Sequence, residues 1–97
     1  MSDQQKTSIT KEDIDAIIRS CEINHFKVGE KTTLVQLVMP TGFTLTESSS
    51  CVDPANYDHD MGVNLAMKKV EDKIWFLEGY VLQNVLAGRF QDLVHSS

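Results

Sequence analysis

A chain of 97 residues that is 41% apolar and 24% charged has the composition of one ordinary globular domain. Its formal net charge of −5 excludes a sequence-independent grip on DNA or RNA, which depends on phosphate neutralisation by a basic patch. Cys21 and Cys51 are too few for a disulfide scaffold, and the longest apolar run falls far short of the ~20 residues a membrane span requires. A soluble protein of a reducing cytosol is expected, with residues 1–9 as a disordered polar tail and residues 10–97 as a single domain.

Thr10-Lys11-Glu12-Asp13 opens a helix: Thr10 can cap the free N–H groups, and Glu12 and Asp13 suit the positive end of the helix dipole. Ile14, Ile17, Ile18 and Cys21 then share one face, so the helix is predicted to run to about Glu22. Ile23–Val28, a turn at Gly29-Glu30-Lys31 and Thr32–Met39 predict a β-hairpin. Pro40-Thr41-Gly42 ends the second strand, and Phe43–Thr46 is predicted as a third. Glu47 to Pro54 is expected to be a polar connection. Asp53 before Pro54 signals a helix start, with an irregular first turn through Asn56 and Tyr57 and the regular helix opening at Asp58 and Asp60.

From there nothing forces a stop before Gly88. The fold class expected is α+β: an N-terminal helix, a three-stranded antiparallel β-meander, and one long C-terminal helix packed on the sheet. Along that helix Val63, Met67, Val70, Ile74, Leu77 and Val81 recur at intervals of 4, 3, 4, 3 and 4, a seam expected to cover the sheet. Trp75, Gly79, Leu82 and Leu86 form a second seam about 100° further round. A small domain has too little chain to bury a helix on all sides. Self-association as a homo-oligomer, dimer or tetramer, through the second seam is therefore expected, with Gly79 allowing close backbone approach. The other reading is that the C-terminal tail folds back over this seam.

Catalytic signatures are weak. There is no glycine-rich phosphate loop, no G-x-S-x-G and no H-E-x-x-H. Asp58-His59-Asp60, with Cys51 and His25, could be imagined as a metal site. Adjacent helical residues point about 100° apart, however, so the tripeptide cannot present three ligands together. Neither an enzyme, a metal nor a cofactor is expected. Cys51 reads as a half-buried structural cysteine rather than a nucleophile. Ser48 to Ser50 read either as a flexible linker or as hydroxyls lining a polar pocket above the helix N-terminus, and Tyr57 is placed where it could stack on a purine.

Cys51-Val52-Asp53-Pro54-Ala55-Asn56-Tyr57-Asp58, then Gly62 and Ala66, then Lys73-Ile74-Trp75-Phe76-Leu77-Glu78-Gly79-Tyr80 carry a resemblance. Across about the last half of the chain and the preceding hairpin, it resembles the small tailed-phage accessory proteins called the gp-forty-nine and gp-sixty-six family. That resemblance implies no catalytic residues and a place in the host cytoplasm. By analogy with anti-CBASS four sponges, it implies a non-enzymatic protein that sequesters a cyclic nucleotide messenger of CBASS or Thoeris immunity. The ligand would be held where subunits meet by Ser49, Ser50, Asn56 and Tyr57, with Lys68 or Lys69 facing phosphate. The alternative is an inhibitor that binds a host protein through an acidic face.

Overall fold

The computed structural model describes residues 7–88, and the predicted tail over residues 1–9 and the segment after Gly88 fall mostly outside them. Helix α1 spans Lys11–Arg19. Thr10 caps it reciprocally with Asp13: the Asp13 backbone N–H donates to Thr10 Oγ1 at 3.2 Å, and the Thr10 N–H donates to Asp13 Oδ2 at 2.9 Å. The helix ends three residues before the predicted Glu22. The Ser20 N–H bonds back to the carbonyls of Ala16 and Ile17, and its hydroxyl donates to Ile17 O at 2.6 Å, which closes the last turn.

Three seven-residue strands follow, β1 (Glu22–Val28), β2 (Thr32–Val38) and β3 (Thr44–Ser50), paired antiparallel in the order β1-β2-β3. Gly29 turns the first hairpin at φ +68° and Gly42 the second at φ +92°, backbone that an L side chain resists. The predicted third strand stopped at Thr46, but β3 continues through Ser50. Serine is a mediocre strand former. Here β2 offers a full ladder, pairing Thr32, Thr33 and Leu34 with Ser50, Ser49 and Ser48, and the Thr32 and Ser50 hydroxyls meet at 2.7 Å. Ser48 to Ser50 are therefore fixed by pairing and form no linker.

Asp53 caps a single 3-10 turn over Pro54–Asn56, its carboxylate accepting from the Ala55 N–H at 3.0 Å. The chain extends again at Tyr57 before helix α2, His59–Leu86, begins. Asp58 is the cap of α2, accepting from the Met61 N–H at 3.1 Å. Replacing Asp58 by Ala should lower stability by about 1 kcal/mol, a Tm drop of roughly 4–8 °C in a domain of this size. An unchanged melting curve would show that α2 is not nucleated there.

The helix lies over β2 and β3, with α1 against its flank. Residues Ile14, Val35, Leu37, Leu45, Ala66, Val70 and Ile74 are the buried core. The line that α2 buries is Gly62, Ala66, Val70 and Ile74: it shares Val70 and Ile74 with the predicted seam but has Gly62 and Ala66 where that seam has Val63 and Met67. Val63, Met67 and Leu77 pack half-buried beside it, and Val81 is 38% exposed. Small residues at Gly62 and Ala66 let the first half of α2 sit closer to the sheet than Val63 and Met67 could. A repeat of four drifts by about 40° per step on a helix of 3.6 residues per turn, so the contact line wraps around α2. Lys73 pairs with Glu47, and Lys11 reaches Asp15 at 2.7 Å and Glu71 at 3.1 Å, joining α1 to α2. Asp15 first, then Glu71, hold the exposed Lys11 ammonium above its ordinary pKa. Gly88, at φ +74°, follows the C-terminal cap residue Ala87 as the sequence predicts. Among the described residues, no helix is long and apolar enough to cross a membrane.

Candidate functional site

Where the end of β3, the 3-10 turn and the first turns of α2 converge, they enclose a cavity of about 160 Å³. Ser49, Ser50, Asn56 and Tyr57, the four polar residues nominated from the sequence, all line it. The nominated cations do not. Lys69 donates to the Ser48 carbonyl at 2.8 Å, and Lys68 is exposed on α2 away from the cavity. The lysine that lines the cavity is Lys31, in the turn between β1 and β2, with its ammonium 3.4 Å from the Val52 carbonyl. Its position follows from register. Thr32 pairs with Ser50, and the Cys51 N–H then bonds Lys31 O at 3.0 Å, which brings the turn against the chain leaving β3. This neighbour appears only because β3 pairs through Ser50, beyond the predicted end at Thr46.

Tyr57 is the most constrained side chain of the site. Its hydroxyl lies 2.8 Å from Thr33 Oγ1 and 2.7 Å from His59 Nδ1, and His59 Nε2 lies 2.9 Å from His25 Nδ1. The chain of contacts draws on β1, β2, the connecting turn and α2. Thr33 is fully buried, so its hydroxyl must be satisfied within the protein, and Tyr57 does this. With both of these contacts made, the Tyr57 hydroxyl is committed and the ring is what remains for a ligand. Lys27 holds its ammonium 4.8 Å from the ring centroid, over one face. The link between the two histidines needs a proton on one ring nitrogen and a lone pair on the other, so two imidazolium rings cannot form it. Thr33 is not among the residues the sequence singles out, and His25 and His59 are weighed there only as metal ligands. The pattern that could have flagged them is the alternation placing His25 and Thr33 on the helix-facing side of the sheet.

Gly62 makes this arrangement possible. A Cβ at residue 62 would stand 2.2 Å from Thr33 Oγ1, so only glycine lets α2 pass over the Thr33–Tyr57 contact. Asp58 also lines the cavity, but its carboxylate is engaged as the helix cap. Cys51 is half-buried with its sulfur 3.3 Å from Asp53 O, and Cys21 places its sulfur 3.2 Å from Ile17 O. No group of three or more His, Cys, Asp or Glu able to hold a metal ion occurs among the described residues.

The four residues of the predicted second seam lie along one side of α2 but differ in exposure. Trp75 leans on the core, Leu82 lines a groove beside α1, and Gly79 and Leu86 are exposed. Since Tyr57 and Trp75 are 18 positions apart, with α2 rising about 1.5 Å per residue, the cavity and this seam lie at opposite ends of a long helix.

Fold and site together define a small α+β domain with a cavity bordered by Ser49, Ser50, Asn56, Tyr57 and Lys31 on its polar side and by Cys51, Met61, Gly62 and Leu65 on its apolar side. A family model described as the phage protein (N4 Gp49/phage Sf6 gene 66) family matches residues 9–86, and the chain belongs to that family. No curated protein and no solved structure matches the chain at a significant level.

Proposed function

We propose that this phage protein is a non-enzymatic binding protein that sequesters a cyclic nucleotide messenger of host immunity, of the CBASS or Thoeris type, in the cytoplasm of the infected cell. The observation that carries the reading is the convergence of Ser49, Ser50, Asn56 and Tyr57 with Lys31 in one cavity. Hydroxyls and an amide can read a base edge, an immobilised tyrosine ring can stack on it, and one lysine can meet one phosphate. Lys31 takes the phosphate-facing role for which Lys68 and Lys69 were nominated. At about 160 Å³ the cavity is smaller than the roughly 300–1,000 Å³ typical of small-molecule sites. It therefore suits a single base, with the ribose, the phosphates and the rest of a cyclic ligand outside it or against a second copy in a homo-oligomer. The mechanism is mass action: binding lowers the free messenger and breaks no bond.

Purified protein mixed with a panel of cyclic di- and trinucleotides, separated from free ligand and then heat-denatured, should release one nucleotide intact. Lys31→Ala should weaken that binding by about tenfold or more, as loss of a charge-assisted contact does, whereas Lys68→Ala should leave it unchanged. Retention of none of the panel sinks the reading, and an altered product turns it into an enzyme. A host protein captured with no nucleotide retained would favour the protein-interaction inhibitor instead.

A further inference from the structure

The hydroxyls of Thr33 and Tyr57 and the imidazoles of His59 and His25 form one line of contacts, at 2.8, 2.7 and 2.9 Å in turn. Its buried end sets the direction of its hydrogens. Thr33 is fully buried, and Tyr57 is the only hydrogen-bond partner of its hydroxyl among the described residues. The Thr33 hydrogen has no other acceptor, so Thr33 donates to Tyr57 and Tyr57 donates to His59 Nδ1. The His59 hydrogen then lies on Nε2 and is donated to His25 Nδ1, which leaves the His25 hydrogen on Nε2. The last contact also ties two elements together. Among the described residues it is the only hydrogen bond or ion pair between β1 and α2. β1 is the edge strand that α2 does not cover, and six of its seven residues are exposed.

We infer that the His25–His59 contact is a proton-operated latch between β1 and the first turn of α2. With both rings neutral the line runs as described and the latch is shut. One added proton reverses the line, whichever ring it enters: His59 Nδ1 now donates to Tyr57, Tyr57 donates to Thr33, and the Thr33 hydrogen loses its acceptor. A second proton puts N–H groups on both facing nitrogens. Donor then meets donor, two like charges face each other, and β1 parts from α2.

Few other charged groups surround the pair. On this side of the sheet β1 adds Lys27, β2 adds Thr33 and Val35, which do not titrate, and β3 adds Glu47, which is paired with Lys73. The turn between β1 and β2 gives Lys31, held near the Val52 carbonyl. Asp53 and Asp58 are engaged as helix caps, and Asp60 lies in the first turn of α2. Carboxylates and ammonium groups ordinarily keep their charge between about pH 5 and pH 8, so imidazole is the group that changes in that range.

The latch does not rest on the proposed ligand, so it is tested on the full chain without nucleotide. Proton–nitrogen NMR correlations at about pH 8 should place the ring hydrogens of both His25 and His59 on Nε2. Amide hydrogen exchange, corrected for its intrinsic pH dependence, should show β1 opening at least about fivefold more often at about pH 5 than at pH 8, as loss of one hydrogen bond requires. The β3 amides should show no such difference. His25→Gln removes the second charge and should abolish the pH difference in β1. If that variant does not fold, His59→Gln serves in its place. A ring hydrogen on Nδ1 of either histidine at about pH 8 overturns the inference. So does β1 exchange that is equal at the two pH values, or that keeps its difference in the variant. A chain that retains no nucleotide can still carry the latch, and one whose β1 ignores pH can still bind.

Discussion

Replacing Gly62 by Ala should destabilise the protein by about 2–3 kcal/mol, although Gly→Ala inside a helix ordinarily gains about 1 kcal/mol. The usual gain comes from reduced freedom of the unfolded chain. Here the new methyl group would lie 2.2 Å from Thr33 Oγ1 and 2.8 Å from Thr33 Cβ. Thr33 cannot yield: it is fully buried, β-branched and paired on both sides in the central strand. The helix must lift instead. Lifting strains the packing at Ala66 and Val70 and pulls on the Thr33–Tyr57 hydrogen bond, and overpacking of this kind costs about 1–3 kcal/mol before the polar loss is added. Thermal melts should show a drop of roughly 8–20 °C. Gly79→Ala, with open space around it, should be neutral or slightly stabilising when dilute. Combining Gly62→Ala with Thr33→Ala should recover part of the loss, since the two groups collide directly. A Gly62→Ala protein as stable as wild type would show that α2 does not cross β2 this closely.

Ile74→Ala should cost about 2–5 kcal/mol, the range for truncating a fully enclosed aliphatic side chain. In a domain whose whole stability is on the order of 5–15 kcal/mol, that is a large fraction. Ile74 is the last buried residue on α2, and it packs in one cluster with Ile14, Leu37 and Leu45. Its removal therefore loosens α1, the sheet and α2 together. Val81 belongs to the same heptad pattern but is 38% exposed, so Val81→Ala should cost less than about 1 kcal/mol. Urea titrations would separate the two by their midpoints at unchanged slope. Equal losses at both residues would restore the seam that the sequence alone predicts.

Gly62 and Ile74 separate what local signals determine from what tertiary distance determines. Element types and order follow from local signals: Thr10 as a cap, Asp58 at the opening of the long helix, Gly29 and Gly42 as turns, Gly88 as a stop. The face of α2 that meets the sheet does not. Hydrophobic periodicity weights Val63 and Met67 above Gly62 and Ala66, yet the contact selects small residues because distance to the strand decides, and that distance is a tertiary quantity. The cavity divides in the same way. Ser49, Ser50, Asn56 and Tyr57 are close in sequence and could be grouped from it. Lys31 comes from the other hairpin, and its place depends on β3 pairing through Ser50, which serine's weak strand preference conceals. The His25–His59–Tyr57–Thr33 chain joins residues up to 34 positions apart and has no local signature.

The order β1-β2-β3 has a kinetic consequence. Each strand pairs with its neighbour in sequence, across a turn of a few residues, and α2 packs on the two strands made just before it. Little loop-closure entropy is spent in building the sheet and laying α2 on it, which favours rapid folding of a small mixed domain. The first hairpin can zip from Gly29, the second from Gly42, and the helix can then condense on them. The one distant closure is α1 on α2, through Ile14 and the Lys11–Glu71 pair, so the sheet and α2 can form first and α1 can dock on them last.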